Sequence, residues 1–119
     1  MTGQRLCRFA DLQPERAVAA LVDGRQVAVV RLTDDRVFAV DNHDPFSNAN
    51  VMSRGIVGST EVDGRTTPTL ISPMYKQAFD LTTGRCLSQP GFALDTWPVA
   101  VTDGWVEIGR VDQRAQDVA

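Results

Sequence analysis

The sequence predicts an all-β sandwich or barrel of about nine to ten short antiparallel strands, and three observations carry that reading. Asp23-Gly24, Asp63-Gly64 and Asp103-Gly104 each separate two β-rich runs. Tight hairpins need φ > 0, which Gly adopts freely and Asp accepts better than most residues. Val27-Ala28-Val29-Val30 is apolar on both parities, the pattern of a strand covered on both faces. Turn signals recur at the spacing of a meandering β domain rather than of helices.

Taken in order, strands are expected near Gln4–Arg8, Ala17–Val22, Gln26–Leu32 and Arg36–Val40. Others are expected near Ile56–Val62, Thr67–Ser72, Ala78–Leu81, Thr96–Val101 and Trp105–Gly109. Asp34-Asp35 and Thr83-Gly84 supply two further reversals. Asp11–Arg16, with Pro14 early in it, has room for one helical turn. In the last strand Val106 and Ile108 alternate with Trp105 and Glu107, which gives it one wetter face. Residues 1–110 read as a single domain and 111–119 as a polar C-terminal tail.

Composition narrows the function classes. The chain has 119 residues, 43% apolar and 23% charged, with a mean hydropathy of -0.15, as a folded domain should. Twelve basic against fifteen acidic residues leave a net charge of -3, and the basic ones (eleven Arg and Lys76) are scattered. Without a basic stripe, nucleic acid and anionic membranes are poor partners. The longest apolar run, Ala17–Val22, is six residues, too short for a membrane span. Met1–Arg8 has no hydrophobic signal-peptide core, and Cys7 and Cys86 match no metal or redox spacing. A reducing cytoplasm is the expected setting.

Two segments break the strand pattern and are where function is sought. The longer is Asn42–Gly55; the shorter is Ser72–Gln77, between the sixth and seventh expected strands. A zinc or iron–sulfur centre needs several Cys or His ligands, yet the chain has one histidine, His43, and no cysteine in either segment. Ser72, His43 and Asp44 make a nucleophilic triad only on paper, because adjacent His and Asp on an extended loop point apart. No Gly-rich loop opens a helix to cradle phosphate. The residues by themselves point to an interaction or structural domain without catalytic apparatus.

The order of parts nevertheless resembles a Rieske-type domain. Phe38-Ala39-Val40-Asp41-Asn42 is followed by the long loop and then by Ser72-Pro73-Met74-Tyr75-Lys76-Gln77-Ala78-Phe79-Asp80-Leu81-Thr82-Thr83-Gly84. That family carries Cys-x-His on its first loop and Cys-Pro-x-His on its second. In this chain the four ligand positions fall on Asn42, Asp44, Ser72 and Tyr75, while Pro73, Phe79, Asp80, Leu81 and Gly84 keep the frame. A narrower likeness covers roughly Arg5–Arg110. Asn42–Ser47, Val51–Gly58 and Ser72–Leu81 resemble the small-subunit family of the assimilatory NAD(P)H-dependent nitrite reductases, and Cys86-Leu87 fits its continuation.

This resemblance implies a Rieske-like, ISP-type β fold without its cluster, and no cofactor in this chain. It implies a large subunit as partner, which would carry FAD, sirohaem and a 4Fe-4S centre and reduce nitrite to ammonia. Asn42, Asp44, Ser72 and Tyr75 would then either exchange hydrogen bonds between the loops or stand in solvent. Phe46, Met52, Arg54, Met74, Tyr75 and Lys76 offer the apolar and cationic mix of a subunit interface. The alternative is a Rieske ferredoxin serving an oxygenase, which needs two Cys and two His in the loops.

Overall fold

The computed structural model describes residues 3–111, so 112–119 of the expected tail lie outside the described residues. In chain order the strands are β1 (Gln4–Arg8), β2 (Arg16–Val22), β3 (Arg25–Arg31), β4 (Val37–Asp41), β5 (His43–Asp44) and β6 (Ala49–Asn50). They continue with β7 (Ile56–Val62), β8 (Arg65–Ile71), β9 (Ala78–Asp80), β10 (Thr96–Trp97), β11 (Val99–Thr102) and β12 (Trp105–Ile108). A central sheet has the order β10-β4-β3-β2, flanked by β1-β12-β11 and by β7-β8-β9; β5 and β6 form a small hairpin. All these strand pairs are antiparallel.

Hairpin chemistry sets this topology. Both residues of each Asp-Gly pair have positive φ, between 51° and 81°, in the tight turns joining β2 to β3, β7 to β8 and β11 to β12. The two-faced character of β3 is realised in full. Ala28 and Val30 enter a core with Met52, Leu70, Phe79 and Leu94, while Val27 and Val29 enter a second core with Trp97, Val106 and Ile108. Each fully buried valine contributes about 1.5–2 kcal/mol of apolar burial, so β3 is the wall on which both cores depend.

Three segments differ from the simplest reading of the sequence. The helical turn at Asp11–Arg16 is absent; a single 3-10 turn lies earlier, at Phe9–Asp11. Pro14 instead bridges to Arg31, and Glu15, at φ 63°, donates its N–H to the Arg31 carbonyl at 2.7 Å and accepts the Thr33 N–H on its carboxylate at 2.9 Å. The expected strand Thr96–Val101 is two strands. Thr96 and Trp97 pair with Val40 and Ala39 of β4, whereas Val99–Thr102 pairs with β12. Pro98, which lacks an N–H for a ladder, marks the point where the chain changes sheet. The long segment Asn42–Gly55 is also more ordered than its lack of periodicity suggests, holding the β5-β6 hairpin and a 3-10 turn at Met52–Arg54. Among the described residues no helix is long and apolar enough to cross a membrane.

Candidate functional site

The first loop leaves β4 through Asp41, whose backbone N–H donates to the Asp95 carbonyl at 2.9 Å. Arg25, at the start of β3, ties both acids together: its Nη2 lies 2.9 Å from Asp41 Oδ2 and 3.0 Å from Asp95 Oδ2, and its guanidinium sits 4.9 Å from the Trp97 ring centroid. Burial pulls the Arg25 charge down, but the Asp95 hydrogen bond and the two carboxylates more than offset this, and its pKa rises.

Asn42 is buried and uses its whole side chain. Its Nδ2 donates to Gln26 Oε1 at 2.9 Å and to the Asn50 carbonyl at 3.4 Å, while its Oδ1 accepts the Ser53 N–H at 2.7 Å. Its backbone N–H donates to the Gln26 carbonyl at 3.2 Å, and its carbonyl accepts from Met52 N–H at 3.0 Å. Asp44 is also buried. Its Oδ1 accepts the Phe46 N–H at 2.8 Å, closing an Asx turn of the kind Asp favours, and its Oδ2 accepts the Ser72 hydroxyl at 2.5 Å.

Ser72, equally buried, is where the second loop is fastened. Its N–H donates to the Gln77 carbonyl at 3.0 Å, its carbonyl accepts from Lys76 N–H at 3.1 Å, and its Oγ accepts from Met74 N–H at 3.3 Å. Pro73–Lys76 therefore forms a closed turn, and the Asp44–Ser72 bond links the two loops. Asn42 links the first loop to β3 instead, and Tyr75 joins neither network. Its side chain is 60% exposed and its hydroxyl makes no hydrogen bond to the described residues.

The expected interface residues also divide. Met74 is 52% exposed, and Lys76 and Arg54 are exposed. Met52 is 0% exposed, because the 3-10 turn directs it into the first core, so it offers no surface to a partner. Phe46 is half-buried between Phe79, at a ring-centroid distance of 6.2 Å, and Phe92, at 4.3 Å. It supports the loops from behind.

Two contributors escaped the sequence reading. Gln26 is an exposed residue at the start of β3, and its amide oxygen accepts from the buried Asn42, which is the side chain that needs the partner. Phe92 belongs to a third segment, Leu87–Asp95, which covers Phe46; it is held by Cys86 N–H to the Phe92 carbonyl at 2.9 Å and Leu94 N–H to the Gly84 carbonyl at 2.7 Å. An aromatic partner from so distant a segment of the chain leaves no local signal.

A family model described as a Rieske-like [2Fe-2S] domain matches residues 4–109. The chain belongs to this family. It is 38% identical over 106 residues to the nitrite reductase (NADH) small subunit of Salmonella typhimurium, an overlap of 88% of this chain and 94% of that one. It is also 38% identical over 107 residues to the nitrite reductase large subunit of Klebsiella oxytoca, 90% of this chain but 11% of that protein. The solution structure of the Escherichia coli protein NirD is similar with a TM-score of 0.77 at 35% identity, covering 90% of this chain and 94% of that one. The chain is thus a Rieske-like homologue of nitrite reductase small subunits, with the all-β fold its motifs imply.

The donor set does not fit the cluster of that family. A Rieske centre takes two thiolates and two imidazoles, and this chain contains a single histidine. His43 Nδ1 pairs with Asn50 Oδ1 at 3.2 Å across the β5-β6 hairpin. Cys86 is buried in the first core and Cys7 lies on β1, where burial and then Asp11 push its thiol upward, keeping it protonated. Among the described residues no group of three His, Cys, Asp or Glu side chains could hold a metal ion.

Proposed function

We propose that this chain is the small accessory subunit of a cytoplasmic NAD(P)H-dependent assimilatory nitrite reductase, without a cluster or catalysis of its own. Its partner is the large subunit, which carries the FAD, sirohaem and 4Fe-4S chemistry that takes nitrite to ammonia. Asn42, Asp44, Ser72 and Tyr75 are the emptied ligand positions. One observation carries this reading: the hydroxyl of Ser72 donates to the carboxylate of Asp44 across the two loops, where thiolate and imidazole would otherwise meet iron.

The likeness to a large subunit that contains a related segment within its own chain supports a partner of that kind. Exposed Met74, Tyr75, Lys76 and Arg54, with Phe92 in place of the buried Met52, form the proposed docking tip. The test is to express the chain with and without its large subunit, then measure co-purification, nitrite-dependent NADH oxidation, and iron and sulfide in the isolated chain. Expected are a stable complex and an isolated chain without stoichiometric iron. Iron and acid-labile sulfide bound to the isolated chain would establish the ferredoxin reading in its place.

A further inference from the structure

Lys76 holds a backbone conformation that a lysine does not favour. Its φ is 60°, in the left-handed region where L-residues crowd their own Cβ. Among the described residues, seven non-glycine residues have positive φ. Five are Asp or Asn, which tolerate this region, and the sixth, Glu15, is repaid by the bond from the Thr33 N–H to its carboxylate. Lys76 has neither excuse: it is exposed, and among the described residues its side chain forms no ion pair or hydrogen bond.

The surrounding hydrogen bonds dictate the conformation but not the side chain. Lys76 N–H to the Ser72 carbonyl and Ser72 N–H to the Gln77 carbonyl close the turn through backbone atoms alone. Glycine would satisfy the same turn without strain. Strain kept where the fold does not need the side chain is a pointer to function.

Charge at this end of the molecule points the same way. The segments 42–55, 72–77 and 87–95 contain two acids, Asp44 and Asp95, and both are buried. Of their cations, Arg54 lines a cleft that Glu15 also lines, whereas Lys76 is exposed on the second loop. On a chain of net charge -3, the second loop thus presents one cation unpaired among the described residues, Lys76, directly beside the exposed Met74 and Tyr75.

We infer that Lys76 is a docking pin, held out by a locked left-handed turn to enter an apolar, carboxylate-lined socket on the large subunit. This rests on the accessory-subunit reading and adds the chemistry of the counter-surface. The test measures binding of the full-length chain to the large subunit at low and high salt for Lys76→Gly, Lys76→Asn and Lys76→Arg, with a thermal melt of each.

The Gly and Asn variants, which suit the turn and lack the charge, are expected to melt at or above the temperature of the parent. They should bind at least about tenfold more weakly, with a flatter salt dependence. Lys76→Arg should stay within about threefold of the parent. Unweakened binding by either neutral variant, a large loss by the Arg variant, or a lower melting temperature for Lys76→Gly would overturn the pin while leaving the accessory role standing. Failure of the unsubstituted chain to bind the large subunit would instead remove the accessory role, and the pin with it.

Discussion

The inside and the rim of the loop pair are built on opposite principles. Inside, Asn42, Asp44 and Ser72 are buried and spend their polar atoms on one another's loops and on β3. At the rim, Tyr75 and its neighbours Met74 and Lys76 are exposed. A buried polar group without a partner costs about 1–3 kcal/mol, so polar side chains at the inner positions need the partners they have. The rim was under no such pressure, and its side chains are free to answer to another molecule.

The largest test of this contrast is at Asp44. Asp44→Ala leaves the Ser72 hydroxyl and the Phe46 N–H without acceptors and is expected to cost about 3–4 kcal/mol in chemical denaturation. Ser72→Ala removes both the donor to Asp44 Oδ2 and the acceptor of the Met74 N–H, and is expected to cost about 2–3 kcal/mol. The double-mutant cycle between them should give a coupling of about 1–3 kcal/mol. A coupling near zero would mean that the two loops stand independently and that the inner side is no lock.

Gly55 tests the same closure from the backbone. A Cβ added there would overlap the Ile71 carbonyl oxygen, immediately before Ser72, and would also press on the Met52 carbonyl. Both obstacles are main chain, so neither can rotate away. Gly55→Ala is expected to cost about 2–3 kcal/mol and to lower amide-exchange protection in both loops together. Loss of protection in one loop alone would show that they do not open as a unit.

These inner residues were only partly legible in the sequence. The Asp-Gly hairpins and the two-faced β3 followed from backbone preference and alternation, which are local properties. The destination of Met52 did not, because a residue in an aperiodic loop carries no parity to say which way it faces. The expected strand Thr96–Val101 runs straight through Pro98, although a residue without an N–H cannot serve a ladder there, and the chain in fact leaves β4 for β12 at that point. The four positions Asn42, Asp44, Ser72 and Tyr75 could be located by resemblance. That three of them turn inward and the fourth outward depends on the closed turn at Ser72–Lys76 and on Gln26 across the sheet, both tertiary facts.

A smaller effect is expected at the root of the first loop. Arg25→Ala removes the cation between Asp41 and Asp95 and leaves the buried Asp95 carboxylate without that partner. Because Arg25 itself is partly exposed, water and salt moderate the loss, and about 1–2 kcal/mol is expected. Arg25→Lys should recover part of it, since a single ammonium has difficulty serving two carboxylates held apart by separate strands. Equal stability of the Ala and parent chains would place the Asp41–Asp95 backbone bond, rather than the charge, at the root of the loop.

The smallest effect belongs to the rim and completes the contrast. Tyr75 occupies the fourth of the corresponding positions, yet its hydroxyl meets no described partner. Tyr75→Phe should therefore change folding stability by no more than about 0.5 kcal/mol, the range of an exposed surface substitution. The same change at Ser72, deletion of one hydroxyl, removes a buried bond to a carboxylate and should cost several times as much. If the Phe variant were destabilised as much as Ser72→Ala, the Tyr75 hydroxyl would be serving the interior after all. If both were silent, burial at Asp44 and Ser72 would not require the bond between them, and the division between a hydrogen-bonded inside and a free rim would fail at its inner edge.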